Sequence, residues 1–260
     1  NVKKKSFPHY NNFLDSDSKT LGNKISIFCE ENENTFWIGT TDSGLIKYEI
    51  SEQKFTCYKN SEDDINSLND DRVSALFFDG KESLWIGTYG GGLNKLDLKE
   101  QKFKGFKRSA DGSINSVSSN AVSSIVSDKN GNLWLGTGDR GINKLEPDKE
   151  IFTYSLHDKD NENSLISDRI RILIYDKEGN IWVGLDVGGL NKFDPVKKSF
   201  TNFNNNPSYI NTFKNYSITF LLDDSKGNIW IGTSGGGLIY YDRIKNEFIN
   251  FQEKNRVMKP

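Results

Sequence analysis

Cysteine is nearly missing from this sequence. The 260 residues hold only Cys29 and Cys57, too few for a disulfide framework or for a zinc site built on thiolates alone. Histidine is as scarce, with only His9 and His157, so a nucleophile–base–acid constellation has one credible base at most. The strong helix formers are depleted too: Ala occurs only at 75, 110 and 121 and Met only at 258, which disfavours a helical fold. No run approaches the roughly 18–20 apolar residues of a membrane span, and the polar start carries no signal-peptide core, so this segment is expected to make no membrane contact of its own. It begins with Asn1 and not Met, as expected of a mature or excised piece. No excess of one charge sign exists either. Lys and Arg number 34 against 36 Asp and Glu, a net charge of −2, which lacks the electropositive footprint needed for a nucleic-acid partner.

What is present is aromatic residues at 12%, 23 glycines, and an apolar share of 35%, a composition of strands and tight turns in a folded chain. The five tryptophans, Trp37, Trp85, Trp134, Trp182 and Trp230, are spaced by 48, 49, 48 and 48 residues. Each opens a Trp-Ile-Gly-Thr phrase or a close variant, such as Trp134-Leu-Gly-Thr and Trp182-Val-Gly-Leu. Seven residues later a glycine (Gly44, Gly92, Gly141, Gly189, Gly237) leads into runs such as Leu93-Asn-Lys-Leu-Asp97. Six residues before each Trp stands an acid: Glu31, Asp79, Asp128, Asp176 or Asp224. An apolar run precedes the acid, and a Phe-led run (Phe7, Phe55, Phe103, Phe152, Phe200, Phe248) ends each unit.

A unit therefore holds four short strands, A (Val/Ile-led), B (Trp-led), C (Gly-Leu-Asn-Lys) and D (Phe-led), with turns between them. Segments such as Asp128-Lys-Asn-Gly-Asn132 are A–B hairpin turns, the Asp capping the turn and the Gly at positive φ. That segment also partly matches a calcium loop, but Leu133-Trp134 of a strand follows where the distant bidentate Glu should come. The runs Gly90–Gly92 and Gly235–Gly237 read as B–C turns, since neither Lys-Ser/Thr nor a helix follows as a phosphate loop requires.

Four antiparallel strands recurring at this stride describe a β-propeller blade. The expected fold is all-β, a propeller of five repeats of about 48 residues that forms a segment of a larger ring, with a self-closed five-blade ring as the alternative. The expected division is residues 1–12 as the outer strand of a preceding blade, blades at 13–58, 59–107, 108–155, 156–203 and 204–254, and a tail at 255–260. Strands A and B, covered on both faces by neighbouring blades, should be continuously apolar, with each Trp packed between blades. Cys29 in strand A and Cys57 in strand D, read as belonging to adjacent units, are small buried hydrophobes whose pairing stays open.

The phrase Gly131-Asn-Leu-Trp-Leu-Gly-Thr137 followed by Gly141-Ile-Asn-Lys-Leu145 resembles the two-component regulator propeller repeat, and the resemblance extends over residues 7–251. It implies the sensor region of bacterial hybrid two-component histidine kinases. Such sensors carry seven-bladed propellers, often in tandem, ahead of a β-sandwich, a membrane helix and a kinase. The implied function is that of a non-enzymatic, extracytoplasmic ligand-sensing module for an oligosaccharide or similar polar ligand. The alternative is a protein–protein scaffold, with a second receptor subunit as partner, and a lyase or glycosidase comes third. Streptogramin lyases have similar repeats and rely on a His, but no matching catalytic pattern occurs here.

Ligand residues should concentrate where long D–A connections (59–71, 107–120, 156–168, 204–216) and B–C tips share one face. The candidates are Asp42, Tyr89, Asp139, Arg140, Asp186 and Ser234 on the tips, and Arg72, Arg169 and Tyr216 at the entries to strand A. Aromatic rings stack on sugar faces, while carboxylates and guanidinium groups bind hydroxyls. His157 lies in a D–A loop, and the pairs Asp63-Asp64, Asp70-Asp71 and Asp223-Asp224 are neighbours in sequence, whereas glycosidase chemistry needs two carboxyls set across a cleft, a separation that sequence does not give. No catalytic residue, cofactor or metal is expected.

Overall fold

The computed structural model describes residues 24–111, 113, 115–205, 210–213 and 216–251. The expected outer strand at 1–12 and the tail at 255–260 lie outside the described residues. Five sheets, each of four antiparallel strands in sequence order, account for nearly all of the regular structure. Blade 1 comprises β1 (Ile25–Asn32), β2 (Thr35–Thr40), β3 (Leu45–Glu49) and β4 (Lys54–Tyr58). Blade 2 comprises β5 (Val73–Phe78), β6 (Ser83–Thr88), β7 (Leu93–Asp97) and β8 (Lys102–Phe106). Blade 3 comprises β9 (Val122–Ser127), β10 (Leu133–Thr137), β11 (Ile142–Glu146) and β12 (Ile151–Ser155). Blade 4 comprises β13 (Ile170–Tyr175), β14 (Ile181–Leu185), β15 (Leu190–Asp194) and β16 (Ser199–Asn202). Blade 5 comprises β17 (Ile218–Asp223), β18 (Ile229–Thr233), β19 (Gly237–Asp242) and β20 (Glu247–Asn250). One departure from pure β is a 3-10 turn at Phe203–Asn205 and a single helical turn at Ile210–Phe213 between blades 4 and 5. Phe213 is fully buried there, and Phe203 stacks on Trp182 with ring centroids 5.4 Å apart.

The inner strands β1, β5, β9, β13 and β17 pack on one another in chain order, but no comparable packing joins β17 to β1. The described blades therefore form an open arc around an axis and not a closed ring of five. Trp37, Trp85, Trp134 and Trp182 each pack forward onto the next blade: Trp37 among Val73, Leu84 and Phe103, Trp85 among Val122, Leu133 and Phe152. The glycine two residues after the Trp serves the same contact. A Cβ at Gly39, Gly87, Gly136 or Gly184 would come within 2.8 Å of the first inner-strand residue of the next blade, Val73, Val122, Ile170 or Ile218. The close approach of neighbouring blades is thus written into Trp-x-Gly.

The acid six residues before the Trp does more than cap a turn. Asp128 accepts the backbone N–H groups of Asn130 and Asn132 on Oδ1, at 2.9 and 3.1 Å, while its Oδ2 accepts the indole N–H of Trp134 at 3.0 Å. Trp37 donates to Glu31 at 2.7 Å, Trp182 to Asp176 at 2.7 Å and Trp230 to Asp224 at 3.2 Å. An indole buried between blades needs an acceptor, since an unsatisfied polar group costs about 1–3 kcal/mol. Blade 2 is the exception, because Trp85 makes no such bond. Blades 4 and 5 gain a further tie at this level, where Arg243 reaches the buried Asp176 at 3.1 Å and Glu178 at 2.6 Å.

Two expectations need correction. The B strands of blades 2 to 4 are buried throughout, that of blade 1 everywhere but at Phe36 and that of blade 5 only at Ile229 and Ile231, but the A strands alternate, as in β13, where Arg171 is exposed between buried Ile170 and half-buried Ile172. The inner edge lines the axis, so only part of each A strand is covered. Cys29 and Cys57 belong to one sheet and not to adjacent units: they lie on β1 and β4 with two strands between them. Three strand spacings of about 4.8 Å exceed the reach of a disulfide between the two, and both side chains are half-buried and not buried as expected.

Burial alone would raise the pKa of Asp128, but hydrogen bonds from the Asn132 and Trp134 side chains and from the turn amides hold it below the usual carboxylate range. A carboxyl depressed in the native state stabilises it fully at neutral pH and loses that contribution as pH falls through the carboxylate range. Asp128→Ala is therefore expected to cost about 1–3 kcal/mol in urea unfolding at pH 7, with the gap to the parent protein narrowing below about pH 4. An equal gap at pH 7 and pH 3 would refute the assignment.

Candidate functional site

The inner strands place a column of equivalent side chains along the axis: Ser26, Ser74, Ser123, Arg171 and Thr219. In the first three blades the serine hydroxyl bridges to the next inner strand. Ser26 Oγ donates to the Val73 carbonyl at 2.7 Å, Ser74 to that of Val122, and Ser123 to that of Ile170 at 2.7 Å. These side chains line an axial cavity of about 480 Å³. That volume lies within the range of ligand pockets, and the wall mixes serine hydroxyls with Ile27, Leu76, Ile125 and Ile172.

The column breaks at Arg171. Its guanidinium Nη1 lies 3.1 Å from Asp186 Oδ1, while Arg169 Nη2 lies 2.9 Å from Asp186 Oδ2. The Asp186 N–H also donates to the Arg169 carbonyl at 2.9 Å, fixing the tip of blade 4 to its own inner strand. Two cations share one carboxylate, which leaves a net positive charge and several unused guanidinium N–H groups at the wall of the cavity. The ion pairs are about half exposed and stabilise the fold little, so their main effect is to hold two flexible side chains in place. Tyr89, on the tip of blade 2, lines the same cavity with its side chain 55% exposed.

Of the nine candidate residues, Tyr89, Arg169 and Asp186 come together on this cavity. Arg72 instead pairs with Asp70 at 2.7 Å on the outer side of the entry. Asp70 is held below the usual carboxylate range, the guanidinium outweighing the opposing effect of burial. Asp42 stands at the rim, 4.0 Å from Lys24, and Asp139 is exposed. Arg140 and Ser234 act through their backbones: the Arg140 carbonyl accepts Ser118 Oγ–H at 3.1 Å, and the Ser234 N–H donates to Ser217 at 2.9 Å. Tyr216 is half buried against the glycine turn at 235–236. Those six do not line the cavity. Sequence reading missed Arg171 and the serine column. The signal was there in aligned strands A, where Ser, Ser, Ser, Arg and Thr occupy one station.

The loops around the cavity are firmly held. The Asn of strand C, fully buried at Asn94, Asn143 and Asn191, accepts a loop N–H from Asn69, Ser118 and Ile166 at 3.0, 2.8 and 3.2 Å. The last acid or amide before strand A ties the start of each loop, with Asp71, Asn120 and Asp168 accepting the N–H of Asn60, Arg108 and His157. At the B–C tips, Thr40, Thr88 and Thr137 donate to the carbonyls of Gly44, Gly92 and Gly141. The face thus presents preorganised loops on a rigid scaffold.

Four stretches of the chain, residues 67–90, 116–139, 164–186 and 212–235, match the two component regulator propeller repeat. Each runs from a connecting loop through an inner strand and the Trp strand to the tip beyond, so the matches fall on blades 2 to 5. Among solved structures, an extracellular domain assigned to a hybrid two component system of B. thetaiotaomicron superposes with a TM-score of 0.72 at 21% identity, covering 94% of this chain and 30% of that one. Another, assigned to a one component system of the same organism, gives 0.70 at 23% identity, covering 91% and 31%. The chain spans less than a third of the length of either structure. Virginiamycin B lyase of Staphylococcus aureus gives 0.63 at 12% identity, covering 88% and 68%. At these identities the likeness is one of fold. No curated protein matches the chain in sequence.

Asn143→Ala should untie the loop before blade 3, because Ser118 loses both its backbone acceptor and the Asn143 Nδ2–H donated to its hydroxyl at 2.7 Å. Hydrogen exchange at residues 115–121 is expected to accelerate roughly tenfold or more, corresponding to the loss of about 1–3 kcal/mol of local hydrogen bonding, while β11 stays protected. Unchanged exchange in the loop would show that Asn143 does not hold it.

Proposed function

We propose that this chain, built on two component regulator propeller repeats, is the ligand-recognition part of an extracytoplasmic bacterial sensor and binds an oligosaccharide or similar polar ligand in its axial cavity. The observation that carries this reading is the Arg169–Asp186–Arg171 cluster facing Tyr89 across a cavity otherwise lined by serine hydroxyls and aliphatic side chains. Guanidinium N–H groups and hydroxyls suit the hydrogen-bonding edges of a sugar, and the exposed tyrosine ring suits its apolar face. Binding alone is the proposed activity, with signalling arising from a difference in affinity between two receptor arrangements. Consistent with this, His157, the only histidine among the described residues, lies off the cavity, with Nδ1 2.5 Å from the Leu165 carbonyl.

The five blades are best read as part of a larger ring. Phe28 on β1 is 60% exposed, whereas its equivalents Leu76, Ile125, Leu173 and Leu221 are all at most 8% exposed against a preceding blade. On the opposite end, Phe220 and Leu222 on β17 are 51% and 48% exposed, although their equivalents Ile27 and Cys29 pack on blade 2. These bare faces are those that a preceding and a following blade would cover, in keeping with a seven-bladed propeller. The same faces favour a second reading, an interaction surface for another receptor subunit.

Titration calorimetry of the chain with a panel of neutral and acidic oligosaccharides is expected to give binding by at least one, without product formation. Tyr89→Ala and Arg169→Ala should each weaken it about tenfold, the equivalent of about 1.4 kcal/mol. Release of a cleaved product, or binding indifferent to both substitutions, would overturn the reading; self-association without any saccharide binding would favour the interaction surface.

A further inference from the structure

The exception in blade 2 marks a second site on the far side of the propeller from the axial cavity's loop face. In blades 3, 4 and 5 the A–B turn reads Asp-x-x-Gly-Asn, and the Asn side chain and the Trp indole both reach the Asp. Blade 2 has Asp79-Gly-Lys-Glu-Ser83, with glycine moved forward and Ser in place of Asn. Gly80 takes the positive φ, +75°, in place of the glycine three residues after the acid, which has +80° at Gly131. Asp79 still accepts the Lys81 and Ser83 N–H groups on Oδ1, at 2.9 and 3.0 Å, but Oδ2 accepts no hydrogen bond among the described residues.

Trp85 is only 3% exposed, and its indole N–H has no partner among the described residues. Both Trp85 and Asp79 line a groove of about 440 Å³ between blades 2 and 3. Lys95 lies over the Trp85 ring, its Nζ 5.5 Å from the centroid. Two of its equivalents, Lys47 and Lys144, pair with Glu49 and Glu146 at 3.0 and 3.4 Å, whereas Lys95, like Lys192 over the Trp182 ring, makes no ion pair among the described residues. The groove therefore gathers an open carboxylate oxygen, an open indole N–H and an open ammonium. Its charges balance, Asp79, Glu146 and Asp148 against Lys81, Lys95 and Lys149, so neither an anion nor a cation is favoured. A group that accepts from the indole and donates to the carboxylate must carry both functions, as a hydroxyl does.

We propose that this inter-blade groove is a saccharide-binding site separate from the axial cavity, in which one sugar hydroxyl bridges Trp85 Nε1–H and Asp79 Oδ2 while Lys95 donates to a neighbouring hydroxyl. The other tryptophans cannot take part in such a site, because Trp37, Trp134, Trp182 and Trp230 already donate to an acid within their own blade.

The test uses the chain labelled with ¹⁵N in its indole rings, whose Trp85 cross-peak is identified by its loss in Trp85→Phe. Cellobiose, xylobiose, maltose and galactose are titrated in turn to about 50 mM, a range that detects even weak, millimolar binding. At least one is expected to shift the Trp85 cross-peak and leave that of Trp182 in place. Asp79→Ala should weaken the effect about tenfold or more, as expected for loss of a hydrogen bond to a charged group, and Asp79→Asn should retain part of it. Unmoved cross-peaks of the other four tryptophans in both variants confirm that they are folded. Arg169→Ala, in the axial cavity, should leave the shift unchanged. The proposal is overturned if no saccharide moves the Trp85 cross-peak, if the shift survives Asp79→Ala, or if Arg169→Ala abolishes it.

Discussion

Placing an indole between two sheets creates a demand that shapes the whole repeat. The ring contributes a large apolar area to the contact between blades, but its N–H must find an acceptor in a place water does not reach. The carboxylate six residues earlier meets that demand from the same blade, and its second oxygen collects the amides of the intervening turn. One acid thus fixes a hairpin and seats a tryptophan at once. The glycine two residues after the ring lets the next inner strand come close enough to cover it. Trp, acid and glycine form one device, and its repetition brings the inner edges of all five blades around one axis.

Because that device recurs at a constant stride, the architecture could be read from the sequence. Tryptophan spacing, the A–B turn chemistry and the Gly-Leu-Asn-Lys strand locate four strands per blade without any knowledge of contacts. Three features resisted such reading. The alternation in the A strands depends on one edge facing an axis, which a single blade cannot reveal. The helical turn at Ile210–Phe213 belongs to a connection whose counterparts carry no helix among the described residues. Whether five blades close into a ring depends on curvature, a property of the assembled arc and not of any repeat.

The site was legible only in part, for a related reason. Loop residues such as Asp139 and Arg140 have the right chemistry and stand on the right face, yet they project away from the axis or act through their backbones. Arg169 and Asp186 were visible as loop residues, but the side chain that joins them, Arg171, sits inside a strand where apolar residues were expected. In a repeat, a residue's importance lies less in its type than in its difference from the others at the same station.

Departures from the repeat therefore deserve to be weighed by what they forgo. Where Ser26, Ser74 and Ser123 each fasten an inner strand to its neighbour, blade 4 gives up that bridge and turns a cation toward the axis. Where three blades seal the indole with an Asp–Asn pair, blade 2 leaves donor and acceptor open beside a groove. Each forfeits a hydrogen bond that would be worth about 0.5–1.5 kcal/mol to the fold. Relaxation of an idle position would scatter such losses over the surface. Here both fall on cavities, and each leaves polar groups pointing at that space, which is the arrangement on which the two proposed sites rest.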